Sequence, residues 1–347
     1  MRENEKRWVA LPLAMAVLAL ALAISSMVYA NLSGGVAHID IAGPGELWRW
    51  LTQDSLESKI FFRLRLPRIL GAALVGAGLA VAGCAFQATL RNPLAEPFTL
   101  GVSSGSALAA VIAIRFGLDW QFAGVSGVGI AALLGALATV YMVWRIASVG
   151  DRLPAATLLL AGITVAMFCG ALTMVVQYSA DIGEVYRMIR WMMGGLAGLL
   201  WQPLYFAGPV IVVGILVLCW QGRDFNALAA GADAAASLGT DPRRTTTIAF
   251  ATCAVLVGAG IAIAGPIGFV GLIVPHIMRA LVGPDHRRLL PVSAFAGAAA
   301  LVACDLAART ILFPAELPVG ILTALLGGPF FLALLIRAKK SGALWGG

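Results

Sequence analysis

The chain has 347 residues, 60% of them hydrophobic and 12% charged, with a mean hydropathy of +0.91. A soluble domain carries about 25% charged residues, so a large soluble α/β core is excluded. The net charge of +7 is not gathered into a basic domain, which argues against nucleic acid as a partner. Cys84, Cys169, Cys219, Cys253 and Cys304 sit singly in apolar runs, and His38, His276 and His286 are scattered. Neither set has the spacing of a metal or redox site.

The pattern predicts an all-α polytopic membrane protein with ten spans, since a spanning helix needs roughly 20 apolar residues. In chain order they are 9–30, 68–88, 94–116, 124–144, 154–178, 204–220, 245–264, 267–283, 289–312 and 316–337. The first follows a basic start but has a long apolar core and no small-residue cleavage site, so it reads as a span and not a removed signal. Spans that are short or interrupted by Gly-Pro are acceptable where the backbone faces protein. The amphipathic segment 181–203, with Gly194, Gly195 and Pro203, reads as a short external helix and re-entry.

An even number of spans puts both termini on one side. With the N terminus cytoplasmic, the inner segments hold most of the 24 lysines and arginines, as the positive-inside trend requires. Arg63, Arg65 and Arg68 offend that trend on the outer side, and an acidic external partner would explain them. The longest inner loop, 222–244, is alanine-rich, and Gly239 followed by Asp241-Pro242 can end a helix. Leu228 and Ala232, then Ala235 and Leu238, give a small apolar face at helical spacing. Such a helix either docks in a groove on another protein or is an inert connector; spacing alone leaves both open.

No phosphate-binding G-x-x-x-x-G-K-S/T loop is present, and GVSSG at 101–105 lacks the lysine. Ser103 and Ser104 have no histidine and acid to make them nucleophiles. Acids within spans are few: Glu96 lies at an inner edge, and Asp305 has Arg309 one turn away as a self-satisfying pair. An ion-driven carrier needs buried acids along its route, so the energy source is expected in another polypeptide. The alternative is a stand-alone secondary transporter or channel.

The strongest stretch is RLPRILGAALVGAGLAVAGCAFQATLRNPLAEPFTLGVSSGSALA at 65–109. It is followed by LLLAGITVAMFCGAL at 158–172, WMMGGLAG at 191–198 and GADAAASLG at 231–239. AGPIGFVGLIVPHIMRALVGPDHRRLLPVSAFAGA at 264–298 and ELPVGILTALLGGPFFLALLIR at 316–337 complete the series. In that order these motifs resemble the FecCD family, permease subunits of bacterial importers for iron–siderophore, haem and cobalamin, whose structural archetype is the vitamin B12 permease.

The resemblance implies one transmembrane permease domain over 1–347 with the type II importer fold and ten helices. It implies a homodimer in the inner membrane, two ATPase subunits on the cytoplasmic face and a periplasmic binding protein that delivers the chelate. The chain itself is expected to bind no cofactor and no metal, with ATP and Mg²⁺ held by the ATPases. By resemblance, 222–244 is the coupling loop, the segment around Ala227–Gly239 being a coupling helix pair with Leu228, Gly231, Ala232, Ala235, Leu238 and Gly239 as contacts. Arg65, Arg68 and Arg309 match positions that face acids of the binding protein. Gln87, Asn92, Pro93, Ser103, Ser104, Met192 and Met193 are candidates for the translocation path or for tying broken helix ends. Met192 and Met193 are adjacent, so only one of them can point at a route. Iron chelates stand first as substrate, while WMMGGLAG hints at a corrinoid.

Overall fold

Out of water, a backbone must satisfy its polar groups within its own segment, so each apolar stretch is built around a helix. The computed structural model describes residues 2–33, 36–122, 124–148 and 155–340. Helix α1 (Arg2–Met27) runs into strands β1 (Val28–Ser33) and β2 (Val36–Ile41), antiparallel with Val28 opposite Ile41. Sequence reading placed no strands here. Then come α2 (Pro44–Thr52), α3 (Leu56–Ile60), a π-helical turn (Phe61–Arg65) and α4 (Leu66–Thr89). From Leu56 to Thr89 the helix is unbroken, so Arg63, Arg65 and Arg68 lie on a rod and not in a loop.

The chain continues through α5 (Val102–Arg115), a small hairpin of β3 (Gln121–Phe122) and β4 (Val125–Ser126), α6 (Gly127–Ala147) and α7 (Ala155–Tyr178). Next are α8 (Ile182–Met192), α9 (Trp201–Trp220), α10 (Gly222–Ala229) and α11 (Ala232–Ser237). The last four are α12 (Pro242–Ala264), α13 (Val270–Val282), α14 (His286–Thr310) and α15 (Val319–Lys340).

Among the described residues, seven helical stretches are long and apolar enough to cross a membrane, and three apolar helices are shorter: Leu11–Ser25, Val102–Arg115 and Val270–Val282. The protein is an all-α polytopic membrane protein carrying two small hairpins. Two of the short helices correct the expected boundaries, because the stretches 94–116 and 267–283 become α-helical only part-way along. Residues Pro97–Leu100 form a 3₁₀ turn, and Gly101 is left-handed at φ 81°. Pro93 and Pro97 lack the N–H that a helix needs there. Gly265 (φ 66°) and Pro266 just ahead of the second stretch, and Phe269 (φ 68°) within it, hold the chain off the helical path until Val270.

The core is built on close backbone approach. On α4, Gly76 lies against the Gly297 carbonyl of α14, and Gly83 against the Gly271 carbonyl of α13. Expected segment 181–203 resolves into α8 and an irregular return that packs inward: the Gly195 N–H donates to the Ala264 carbonyl at 2.7 Å, and Leu196 and Leu199 are buried. The hairpin β1–β2, α8 and the start of α4 mark one end of the bundle. Helices α10 and α11, with the start of α14, mark the other.

Candidate functional site

At the hairpin end a four-member ionic network replaces the simple pair expected from sequence. Asp305, 1% exposed, accepts from Arg68 Nε through both carboxylate oxygens, at 3.0 and 3.1 Å. Arg68 Nη1 reaches Glu316 at 2.8 Å. Arg309 Nε lies 3.3 Å from Asp305 Oδ2, at an angle that makes an ion pair without a hydrogen bond, and its Nη2 donates to Ser25 of α1 at 2.7 Å. A buried carboxylate persists only with such compensation. The guanidinium groups of Arg68 and Arg309 are thus turned inward, toward this chain's own acids. Arg65 instead sits over the Trp50 ring, 5.5 Å from its centroid, while Arg63 is exposed. Arg65, Arg68, Arg309 and Glu316 share one depression of about 340 Å³.

At and beyond the end of α4, most of the candidate path residues tie chain breaks together. Gln87 is buried; its Nε2 donates to the Gly271 carbonyl at 3.3 Å and its Oε1 accepts from Arg279 at 2.8 Å. Asn92 Oδ1 accepts the Leu94 N–H at 2.9 Å, an Asx turn around Pro93. Ser104 donates to the Gly101 carbonyl at 2.9 Å, while the Ser103 carbonyl accepts from Ser106. Glu96 accepts the Phe269 N–H at the start of α13, so the two broken stretches meet directly. Met192 and Met193, at the end of α8, are both partly exposed at 37% and 38%. No cluster of three or more metal-ligating side chains occurs among the described residues.

At the opposite end, the loop 222–244 holds two helices, as the resemblance implied, where residue spacing alone suggested one. Gly231, at φ 117°, separates α10 from α11, and Gly239, at φ 82°, ends α11 in the left-handed region that glycine tolerates. The single small-residue face expected over Leu228, Ala232, Ala235 and Leu238 does not form. Leu228 and Ala235 pack inward, at 6% and 0% exposed, whereas Ala232, Leu238 and Gly239 face outward.

Sequence reading missed the contacts that seat α10. Asn226 Nδ2 donates to Asp285 Oδ1 at 2.7 Å, and its Oδ1 accepts the His286 N–H at 2.8 Å. Partial burial disfavours the Asp285 charge, but the bonds from Asn226 and the Arg287 N–H, with the nearby Arg287 and Arg288, hold its carboxyl below the usual range. A Pro-Asp pair ahead of a helical stretch is a capping signal that could have marked Asp285; nothing local marked Asn226.

The profile of the FecCD transport family matches residues 22–337. This chain belongs to the FecCD family. It is 47% identical over 281 residues to the cobalamin import system permease protein BtuC of Halobacterium salinarum, covering 81% of this chain and 74% of that protein. It is 40% identical over 296 residues to the hemin transport system permease protein HmuU of Yersinia pestis, covering 85% and 88%. A solved metal-chelate type ABC transporter in an inward-facing conformation superposes with a TM-score of 0.79 at 31% identity, covering 94% of this chain and 98% of that one. The chain is accordingly a transmembrane permease subunit of an ABC importer for metal chelates. The stretches that carry the resemblance include both chain breaks, Arg68 and Glu316 of the ionic network, and α11 with Gly231 and Gly239.

Proposed function

We propose that this FecCD permease works as a homodimer with ten spans per copy and both termini cytoplasmic. Two ATPase subunits would bind the α10–α11 end, and a binding protein would deliver the chelate at the hairpin end. The observation that carries this reading is the family match over 22–337 in a chain with no phosphate loop of its own. The positive-inside bias supports the orientation. Coupling contacts would come from the outward residues Ala232, Leu238 and Gly239, with Gly231, Leu228 and Ala235 shaping the loop from within.

Docking of the binding protein would draw on Arg65 directly. Arg68 would take part by exchange, since its partner Glu316 is 44% exposed and a partner's carboxylate could compete for it. Arg309, held between Asp305 and Ser25, would act by keeping Arg68 in place.

Among metal chelates, a corrinoid is the first candidate to test, on the 47% identity to one cobalamin permease. The test is the mass of the intact complex in detergent after co-expression with a candidate ATPase. Two copies of this chain with two ATPases are expected. A monomer that transports cobalamin, hemin or a ferric siderophore without any ATPase contradicts the proposal.

A further inference from the structure

Asn226 is a helical residue whose side chain serves a different helix. Its three side-chain contacts all go to the start of α14: the Asp285 carboxylate at 2.7 Å, the His286 N–H at 2.8 Å and the His286 Nδ1 at 2.9 Å. A carboxylate only accepts, so the amide orientation is fixed with Nδ2 toward Asp285 and Oδ1 toward His286. Oδ1 is then an acceptor, which places the ring proton of His286 on Nδ1. His286 is buried, and its Nε2 has no hydrogen-bond partner among the described residues. The joint is dense as well as polar. A Cβ on Gly222 would stand 3.1 Å from Arg287 Cα, so a larger residue would have to shift α10 from α14 by a few tenths of an ångström. Phe225 is fully buried, its ring 6.2 Å from that of His286.

Helix α14 is fastened at its far end too. Asp305 holds Arg68 of α4, and Arg309 holds Ser25 of α1. Between those ends, Gly297 sits against Gly76 of α4. A push on α10 that preserves the Asn226 contacts must therefore move the start of α14, and α14 reaches the network beneath the hairpin end. By contrast α11 is mostly exposed beyond the Gly231 break, so it can follow a partner without itself gripping the bundle.

We propose that Asn226 is the positioning residue that couples the α10–α11 loop to α14, passing motion imposed by an ATPase to the Arg68–Asp305–Glu316 network. This inference rests on the reading of that loop as the ATPase contact, and the experiment separates the two. The complete complex, with ATPase and binding protein, is reconstituted in proteoliposomes, and uptake per ATP hydrolysed is measured at equal amounts of assembled complex. Asn226→Leu should retain the ATPase and its basal hydrolysis but lower uptake per ATP by about tenfold, the size expected for one charge-assisted hydrogen bond. Asn226→Asp sets a carboxylate against Asp285 and should do the same.

The double change Asn226→Asp with Asp285→Asn exchanges donor and acceptor across the joint, at the expense of the Arg287 N–H bond that shares Asp285 Oδ1, and it should restore most of the ratio. If Asn226 merely held up the fold, Asn226→Leu would lower the amount of assembled complex and leave uptake per ATP of what assembles unchanged. An unchanged ratio in Asn226→Leu, or a double variant no better than Asn226→Asp, overturns the proposal. Leu238→Asp supplies the control: release of the ATPase supports the loop reading by itself, and retention with normal uptake removes both the loop reading and the inference.

Discussion

Helices α4 and α15 are equally apolar and lie in opposite surroundings. The best windows have mean hydropathies of 2.2 for the rod that includes α4 and 2.3 for α15, yet 78% of the first is buried and 17% of the second. In a bilayer, apolarity does not separate core from surface, because lipid tails are as apolar as leucine. Side-chain size makes the difference here. Helix α4 meets its neighbours through Gly71, Gly76, Gly78 and Gly83, while α15 turns Leu325, Leu326, Leu332 and Ile336 outward. A helix with α15's exposed face is suited to lipid or to a second copy of the chain.

The strongest way to break this comparison is to enlarge α4. In Gly83→Val the new side chain would collide with the Gly271 carbonyl, a backbone atom that cannot swing away. A loss on the order of 3 kcal/mol should appear as a sharply lower melting temperature in detergent, whereas Gly328→Ala in α15, with open space around it, should melt like the parent. Equal melting of the two variants would remove size as the organising feature.

Next in size is Arg68→Ala. It leaves Asp305 buried with only Arg309 beside it, a cost of about 2 kcal/mol, below that of a fully broken buried pair because one cation remains. Thermal unfolding measures it. The matching change Asp305→Asn should cost no less, since it leaves the two mostly buried guanidinium groups of Arg68 and Arg309 without the carboxylate they share. A binding defect in Arg68→Ala without any loss of stability would make docking, and not internal pairing, the main work of this residue.

The smallest effect on a single chain belongs to the paired change Leu325→Ala and Leu326→Ala. Stability of the isolated subunit should stay within about 0.5 kcal/mol. If this face meets a second copy, dimer dissociation measured by mass in detergent should rise about tenfold, as for the loss of a modest interface contact. An unchanged dimer would assign the face to lipid.

Much of this architecture was legible because long uncharged runs have few alternatives: all ten apolar stretches contain helices, and 181–203 contains a short helix, α8. What stayed hidden depends on partners distant in sequence. The breaks before α5 and α13 lie in apolar segments that read as continuous spans, and they are joined by Glu96 reaching Phe269 across 173 positions. Arg68 and Asp305 are 237 positions apart, so the arginine read as an exposed anomaly is an internal counter-ion. In the loop 222–244, helical spacing suggested one continuous face, but the left-handed Gly231 rotates α11 away from α10. Local pattern established which residues are helical; which side of each helix meets protein depended on the assembled bundle.

The central claim, that this FecCD chain forms the conduit while another polypeptide supplies the energy, is tested most directly by uptake into proteoliposomes. Labelled cobalamin is added with its binding protein, with the ATPase present or omitted and ATP supplied on the ATPase side. Accumulation only when permease, ATPase, binding protein and hydrolysable ATP are all present is the predicted result. Concentrative uptake by this chain alone, driven by an ion gradient, would contradict it.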